Sequence, residues 1–200
     1  MLKRIFDILL SLLGIIVFAP LWFLIVVSIL LEDGLPIFFQ QDRVGKNGKI
    51  LKTLKFRTMR HVSDKPHLDI DMENDPRITK IGIILRATAM DELPQLFNIL
   101  KGDMSFVGPR ALPLWIDDNR EGKKYKDITE IPGFKERSKV RPGLTGLSQI
   151  YAPKDATREE KFKYDVEYVN KMNLWLDLKL IFLSFWITLR GAWEKRENKL

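Results

Sequence analysis

The apolar residues of this chain are concentrated near its two ends, and charged residues dominate the region between them. The first apolar segment, Ile8–Leu31, contains no charged residue. As a straight helix it would be about 36 Å long, which is enough to cross a hydrocarbon core of about 30 Å. A cleaved signal peptide would have a shorter apolar core and a cleavage site of small residues. The segment therefore predicts a permanent membrane anchor.

The topology of this anchor stays open at the level of sequence. Pro20 lies near its midpoint, and an interior proline removes a helical hydrogen bond and kinks the helix. Hydropathy alone favours a helix that spans the bilayer. A kinked hairpin that enters one leaflet and returns would instead place both flanks in the cytosol. The positive-inside rule gives no preferred direction, because both flanks are basic. The basic residues are Lys3 and Arg4 before the segment, and Arg43, Lys46, Lys49, Lys52, Lys55, Arg57 and Arg60 after it.

The second apolar segment, Leu174–Trp193, is interrupted by charged residues and is too short between them to span a bilayer. Its tryptophans favour the depth of the lipid headgroups, which predicts a helix that lies in the membrane interface. A core helix is the alternative. The charged stretch before it, Arg158–Asn170, predicts a helix on which Asp165 would occupy a solvated face if the residues alone decided.

The region between the apolar ends contains shorter elements. Residues 36–60 predict two extended runs joined by Gly45–Gly48, because Asn-Gly is a hairpin signal. The basic residues of the second run either lie on anionic headgroups, or Lys55 or Arg57 points inward to hold a phosphate. Ile78–Leu85 is rich in apolar residues, and Leu114–Lys139 predicts a helix followed by a loop. The expected fold is α+β and mainly helical, with a small β hairpin or sheet.

An acidic stretch at residues 64–75 predicts an exposed loop. Both histidines of the chain, His61 and His67, lie in or beside it. A metal site there is not supported, because the spacing of the histidines and aspartates matches no defined ligand set.

Composition narrows the possible functions. The chain has 200 residues, no cysteine and a formal net charge of +7. The absence of cysteine excludes disulfides, thiolate metal sites and cysteine nucleophiles. The positive charge indicates a polyanionic partner, which is nucleic acid, anionic lipid or a phosphorylated substrate.

The adjacent carboxylates Asp91 and Glu92 are the first candidate for chemistry. Pro94 is tolerated only in the first turn of a helix, so the helix is expected to start close to Asp91, where its dipole would keep a carboxylate ionised. Asp91 is then either a structural N-cap or a nucleophile or metal ligand. Consecutive helical residues point about 100° apart, so the two cannot share one proton. One of them could hold Mg²⁺ together with substrate phosphates.

Two loops that contain glycine and arginine add to this picture. Gly108-Pro109-Arg110 follows the carboxylate pair, and Arg141 opens the run Arg-Pro-Gly-Leu-Thr-Gly. Glycine permits close approach of the backbone, and arginine binds phosphate through two parallel hydrogen bonds. Together with the basic chain, the loops and the carboxylates indicate phosphoryl chemistry.

These motifs occur together in one known family. The run MDELPQLFNILKGDMSFVGPR, with KFRTM before it and RPGLTG and FKYDVEYV after it, resembles the bacterial sugar transferase family. Its members of this minimal, single-module form are monotopic polyprenol-phosphate phosphoglycosyl transferases. The resemblance extends from the N-terminal segment to about Leu189. It implies transfer of a phospho-sugar from a UDP-sugar to polyprenol (undecaprenyl) phosphate, with release of UMP and with Mg²⁺, as the first membrane step of glycoconjugate or polysaccharide synthesis.

The resemblance also implies roles for particular residues. Asp91 corresponds to the nucleophile that forms a covalent phospho-sugar intermediate, and Glu92 to a metal-associated or acid–base carboxylate. Pro20 corresponds to the break of a re-entrant membrane helix. Residues in the positions of phosphate- or substrate-binding groups are Lys55, Arg86, Arg110, Arg141 and Asp165, with the role of Arg86 the least defined.

For the whole protein, the resemblance implies a re-entrant membrane helix at residues 1–34 and a catalytic domain at 35–200, with an interfacial helix at 174–193. The active site would lie on the cytosolic face of the bacterial inner membrane. The implied partners are a UDP-sugar, polyprenol phosphate and membrane lipid, with no nucleic acid; a homodimer is possible. The sequence does not identify the sugar.

Two positions depart from the family pattern. Ala111 replaces a usual proline after Arg110, which would loosen the loop. Ala19 replaces a serine whose hydroxyl could satisfy a carbonyl freed by Pro20.

A non-catalytic anchored protein that binds acidic lipid or nucleic acid is the alternative from another functional class.

Overall fold

The structure is a computed structural model that describes residues 2–60, 75–114, 127–153 and 155–190. The helices are α1 (Leu2–Asp33), α2 (Lys80–Ala87), α3 (Gln95–Lys101), α4 (Phe134–Arg137), α5 (Leu147–Tyr151), α6 (Arg158–Lys171) and α7 (Leu174–Leu189). The strands are β1 (Phe38–Val44), β2 (Ile50–Phe56), β3 (Ser105–Val107) and β4 (Gly143–Thr145). The expected α+β, mainly helical class is confirmed. Most of the predicted acidic loop, with both histidines, part of the 114–139 segment and residues 191–193 of the C-terminal segment lie outside the described residues.

The predicted hairpin is confirmed. β1 and β2 pair antiparallel, with Phe38 opposite Phe56 and Val44 opposite Ile50. The turn between them contains Asn47 at φ 56° and Gly48 at φ 75°. These are the positive φ angles that made Asn-Gly a hairpin signal.

A second, parallel pair of short strands brings the two glycine-containing loops together. β3 lies beside β4, with Ser105 opposite Gly143 and Val107 opposite Thr145, and a separate isolated bridge joins Arg110 to Gly143. A Cβ atom on Gly143 would lie 2.1 Å from the backbone nitrogen of Gly108, so only glycine permits this approach. The sequence named both loops but did not predict that they pair.

Helix α3 starts later than the sequence predicted. Its N-cap is Pro94 and its first residue is Gln95, whereas Asp91 lies in a separate 3₁₀ turn, Met90–Glu92. A helical turn does begin close to Asp91, as expected, but α3 itself starts later and Asp91 is not its N-cap, so the N-cap alternative for Asp91 is wrong. The reason is that Ala89 adopts a left-handed φ of 55°, which ends the preceding segment and begins a new turn just before the carboxylates.

Helix α1 runs without interruption from Leu2 to Asp33, and Pro20 lies inside it. It is the one helix among the described residues that is long and apolar enough to cross a membrane. Its residues on both sides of Pro20 pack on the rest of the protein: Ile15 joins the cluster of Leu96, Ile99 and Met104, and Ile25 joins that of Phe56 and Leu85. Pro20 itself and the residues just before it, Ile16, Val17 and Ala19, are exposed.

Charged residues at the two ends of α1 complete the hydrogen bonding of other helices. Arg4 donates to the carbonyls of Ile99 and Leu100 at the C-terminus of α3, at 2.6 and 2.7 Å. Glu32 accepts from the first backbone N–H groups of α2, those of Lys80 and Ile81, at 2.6 and 2.9 Å. These hydrogen bonds lower the pKa of Glu32. Both ends of α1 are therefore attached to the same domain.

The first turns of α1 also reach the strand that leads to Arg110. The carboxylate of Asp7 is buried and accepts from Ser105 Oγ at 3.0 Å and from the backbone N–H of Phe106 at 3.1 Å. Lys3 pairs with buried Asp177 of α7 at 2.6 Å. The N-terminus of α1, β3 and α7 thus form one polar junction inside the protein.

Helix α7 is apolar on two faces. One face buries Leu180 and Ile187, which pack with Tyr168 of α6. The opposite face exposes a stripe of large apolar residues: Trp175, Leu178, Phe182, Phe185, Trp186 and Leu189. The core-helix alternative is therefore partly confirmed, because α7 packs on the domain. The uncovered apolar surface is compatible with a membrane interface, and the interfacial location of α7 stays a prediction.

Substitution of Asp7 tests whether α1 is an integral part of the fold. We expect Asp7→Ala to lower the free energy of unfolding by about 2–3 kcal/mol, because two buried donors lose their acceptor. Asp7→Asn retains an acceptor oxygen and should lose clearly less. Thermal unfolding in detergent measures both, and equal melting temperatures for Asp7→Ala and the unsubstituted protein would contradict this role.

Candidate active site

The carboxylate pair lies in a turn whose backbone is held in an uncommon conformation. Ala89, at φ 55°, precedes the 3₁₀ turn Met90–Glu92. The hydroxyl of Thr88 donates back to the carbonyl of Ile84 in α2 and forms no capping box with Asp91. Ala89 therefore separates the turn from α2, Leu93 and Pro94 continue it in right-handed helical conformation into α3, and the turn presents Asp91 and Glu92 towards β2.

Two cations converge on Glu92. Lys55 Nζ, from β2, lies 2.7 Å from Glu92 Oε1, and an Arg110 guanidinium nitrogen lies 2.9 Å from the same oxygen. Lys55 Nζ also lies 3.5 Å from Asp91 Oδ2. The structure thus brings together four of the predicted site residues and supports the inward orientation of Lys55. Arg57 is also inward, but it donates to the backbone carbonyls of residues 33–35 at the end of α1.

The two carboxylates differ in their electrostatics. Burial raises the pKa of Asp91, with the nearby Glu92 charge in the same direction and Lys55 opposing both. Burial alone would also raise the pKa of Glu92, but the charges of Arg110 and Lys55 and their hydrogen bonds outweigh it and hold this pKa at about 2. Glu92 is therefore the ionised partner of the cations. Asp91 is ionised less readily than the predicted helix dipole would have made it.

A small cavity adjoins this cluster. It is lined by Arg43, Thr53, Lys55, Glu92, Gln95, Met104, Arg110, Ala111 and Gly143. Arg43, Thr53 and Lys55 lie on the same, inward face of the hairpin. Alternate residues of a strand point to one face, and residues opposite each other on paired strands share that face. The register pairs residue 43 with 51, 41 with 53 and 39 with 55. Sequence reasoning missed Arg43 and Gln95 as candidates. For Arg43, the alternation of strand β1 was an available signal.

Three predicted residues do not join the cluster through their hydrogen bonds. Arg86 donates to Thr58 Oγ1 and Met59 Sδ, both at 3.1 Å. Arg141 Nε donates to the carbonyl of Gly102 at 2.6 Å. Neither residue lines the cavity, nor does Asp165. Binding of substrate by these three residues stays a prediction.

Asp165 is buried, which contradicts the solvated face expected from the residues alone. It is 2% exposed and accepts from Arg137 Nε at 2.8 Å and from Ser148 Oγ at 2.7 Å. Burial raises the pKa of Asp165, and Arg137 and Ser148 oppose that shift. Arg137 also donates to the carbonyl of Arg110 at 2.6 Å. The pair therefore connects α6 to the loop that presents Arg110, a connection that sequence reasoning missed.

The loop around Ala111 is fixed by hydrogen bonds despite the missing proline. The carbonyl of Pro109 accepts from Gly143 N at 2.9 Å, and that of Leu112 from Val44 N at 2.8 Å. With the bond from Arg137 to Arg110, the backbone is held on both sides of Ala111, so the expected loosening has no counterpart in these contacts.

The residues present suit one kind of metal site. Among the described residues no three His, Asp or Glu side chains cluster as a metal site. Glu92 Oε1 is already used by Lys55 and Arg110, which leaves Glu92 Oε2 and the Asp91 carboxylate. Two carboxylates fit a Mg²⁺ ion that takes its other ligands from substrate phosphates and water. They do not form a cage that would hold an ion alone.

Comparison with known proteins supports a family assignment. The bacterial sugar transferase family profile matches residues 1–191. The chain is 37% identical over 189 residues to the UDP-glucose:undecaprenyl-phosphate glucose-1-phosphate transferase of Escherichia coli, covering 92% of this chain and 39% of that protein. It is 40% identical over 187 residues to the exopolysaccharide production protein PSS of Rhizobium leguminosarum, covering 90% of this chain and 92% of that one.

A third relative is named for a different sugar. The UDP-N-acetylgalactosamine-undecaprenyl-phosphate N-acetylgalactosaminephosphotransferase of Aeromonas hydrophila is 36% identical over 195 residues, covering 95% of this chain and 44% of that protein. The chain thus spans about two fifths of the length of the Escherichia coli and Aeromonas relatives.

The Arg137–Asp165 pair gives a test of how the Arg110 loop is supported. We expect Asp165→Ala to lower the free energy of unfolding by about 3–5 kcal/mol, because Arg137 would be left buried without its counter-charge. Glu167→Ala, on the same helix, removes an exposed ion pair with Lys171 and should cost less than about 1 kcal/mol. Denaturant unfolding measures both, and equal effects would show that the pair contributes no more than a surface ion pair.

Proposed function

The chain belongs to the bacterial sugar transferase family, and we propose from this that it transfers a phospho-sugar from a UDP-sugar to undecaprenyl phosphate with release of UMP. The observation that carries the proposal is the arrangement of Asp91 and Glu92 with Lys55 and Arg110 in one ion-paired cluster, in which the two carboxylates are more buried than the two cations. A nucleophile beside a fixed set of cations is what transfer of a phosphoryl group requires.

The proposed reaction has two displacements at phosphorus. A carboxylate oxygen of Asp91 attacks the sugar-bearing phosphorus of the UDP-sugar, and the bond from that phosphorus to the bridging oxygen breaks. UMP leaves with the bridging oxygen, and the phospho-sugar is held on Asp91 as an acyl phosphate. A phosphate oxygen of undecaprenyl phosphate then attacks the same phosphorus. This releases the Asp91 carboxylate and forms undecaprenyl diphosphate sugar.

Charge balance gives each neighbour of Asp91 a role. The charges of the two carboxylates, Asp91 and Glu92, and of the two cations, Lys55 and Arg110, sum to zero. A diphosphate therefore needs further positive charge in order to bind. Arg43, which lines the cavity, supplies part of it. Mg²⁺, held by Glu92 and by substrate phosphates, would neutralise the remainder. Ionised Glu92 meanwhile fixes the positions of Lys55 and Arg110, which stabilise charge on the non-bridging oxygens.

The membrane arrangement we propose is monotopic. Lys3 and Arg4 at the start of α1 and Glu32 at its end contact the same domain, whereas the segment around Pro20 is exposed and apolar. Both ends of α1 would therefore lie on one face of the bilayer, and the middle would enter one leaflet. The exposed apolar stripe of α7 supports the same arrangement. We propose that the site lies at the cytosolic face of the inner membrane, where a UDP-sugar is available.

Substitution of the proposed nucleophile tests the function. We expect Asp91→Asn to lower UMP release at least about 1,000-fold, because an amide cannot form the acyl phosphate. The fold should be retained. A pKa raised by burial means that ionised Asp91 costs stability at neutral pH, so the melting temperature should not fall. UMP release would be measured with undecaprenyl phosphate and a panel of UDP-glucose, UDP-galactose and UDP-N-acetylgalactosamine.

The exposed carboxylate Asp42 of β1 offers a matched control, and Asp42→Asn should release UMP as the unsubstituted protein does. Mass spectrometry of the protein with UDP-sugar alone should detect phospho-sugar on the peptide that contains Asp91. Full UMP release by Asp91→Asn would refute the aspartyl intermediate.

The absence of cysteine permits a direct test of topology by labelling. We expect Leu2→Cys and Leu35→Cys, both at exposed positions, to react with a membrane-impermeant maleimide from the cytosolic side only. Lys46→Cys, in the hairpin turn, marks the side of the domain, and Val17→Cys should be protected by lipid. Inverted vesicles and intact spheroplasts provide the two sides. Labelling of Leu2→Cys and Leu35→Cys from opposite sides would mean that α1 spans the membrane.

A further inference from the structure

Helix α3 carries two buried amide side chains on the face that lies against β2, and only one of them is hydrogen-bonded. Asn98 accepts from Leu54 N at 3.0 Å and donates to the carbonyl of Lys52 at 2.7 Å. These bonds fix α3 to the edge of β2. Gln95 lies one helical turn earlier and is 4% exposed, yet its side chain forms no hydrogen bond with any other residue that the structure describes. The fold therefore uses Asn98 but leaves Gln95 without a partner.

The amide atoms of Gln95 are not among the fully buried polar atoms that lack a partner, so they keep some accessible surface although the residue as a whole is buried. An amide of this kind is free to hydrogen-bond a ligand. The Gln95 side chain lines the cavity that also contains Lys55, Glu92 and Arg110. The chain is right-handed helical from Leu93 onwards, so Gln95 follows Asp91 and Glu92 at helical spacings of four and three residues. Its amide is thus placed next to the carboxylates and faces the space that a ligand would fill.

We propose that the side-chain N–H of Gln95 donates a hydrogen bond to a non-bridging oxygen of the sugar-bearing phosphoryl group while Asp91 attacks it. This inference rests on the proposed function and assigns a further substrate-binding residue to the same site. The chemistry of the cavity favours an anionic ligand, because Arg43, Lys55 and Arg110 line it. A neutral donor suits this position, since it stabilises charge on the phosphoryl oxygens without drawing the Asp91 carboxylate into another ion pair.

The test compares stability with catalysis in the full-length protein in detergent. We expect Gln95→Met, which matches the shape but not the polarity of glutamine, to lower kcat for UMP release about 100-fold. The KM for the UDP-sugar should change less than about threefold, because the hydrogen bond is strongest in the transition state. The melting temperature should stay the same within about 2 °C, since Gln95 forms no hydrogen bond within the protein that the substitution would remove. Gln40→Met, at an exposed position of β1, is the control and should change neither.

Gln95→Glu distinguishes the N–H donor from an oxygen acceptor. This variant keeps the shape and an oxygen but adds negative charge beside the phosphoryl group, so its kcat should fall at least as far as that of Gln95→Met. A kcat within about twofold of the unsubstituted protein for either variant would overturn the proposal. Parallel losses of activity and melting temperature would also overturn it, because they would indicate a structural role.

The outcome for the unsubstituted protein separates this proposal from the one on which it rests. If no UDP-sugar of the panel gives UMP, the proposed function fails and the role of Gln95 fails with it. If UMP is released and Asp91→Asn abolishes the release while Gln95→Met leaves it intact, only the role of Gln95 is wrong.

Discussion

The attachment of both ends of α1 to one domain is the constraint on which the rest of the structure depends. Arg4 satisfies the last carbonyls of α3, and Glu32 satisfies the first N–H groups of α2. Each charge also complements the dipole of the helix end that it contacts. Between these points Trp22 packs edge-on against Phe56, the residue after Lys55, and against Phe97, close to Gln95. The apolar helix α1 therefore packs directly against the elements that carry the candidate site, so the membrane anchor and this site belong to one packed unit.

The charged side chains at the candidate site and behind it each have a defined partner, and the Arg137–Asp165 pair is fully buried. Lys55 and Arg110 share Glu92, and Arg137 shares Asp165 with Ser148. Removal of a buried charge without its partner is costly, so such pairs specify one arrangement more than they stabilise it. Here the arrangement specified is the position of Arg110, whose backbone is held by Arg137 and whose side chain is held by Glu92.

Local patterns in the sequence predicted the elements, and tertiary contacts decided how the site is assembled. The length of α1, the Asn-Gly hairpin and the apolar C-terminal helix follow from periodicity and turn chemistry over short windows. The start of α3 was mispredicted, because the left-handed conformation of Ala89 has no local cause in its own residue type. Burial of Asp165 was also mispredicted, since its partner Arg137 is distant in sequence and only the folded chain brings them together.

The residues whose backbone conformation or buried polar group is locally unfavourable lie close together in the sequence, next to the candidate site. Within the seven residues from Ala89 to Gln95 the chain holds an alanine at positive φ, a buried aspartate with a raised pKa and a glutamine whose side chain forms no hydrogen bond with the described residues. Backbone strain of this kind costs about 1–3 kcal/mol, and burial of the Asp91 carboxylate is also unfavourable. Such costs persist only where surrounding packing over-determines the conformation, which α1 and β2 do on the two sides of α3. A segment that is locally unfavourable but firmly enclosed is pre-organised for a ligand, because the binding groups need not rearrange when the ligand arrives.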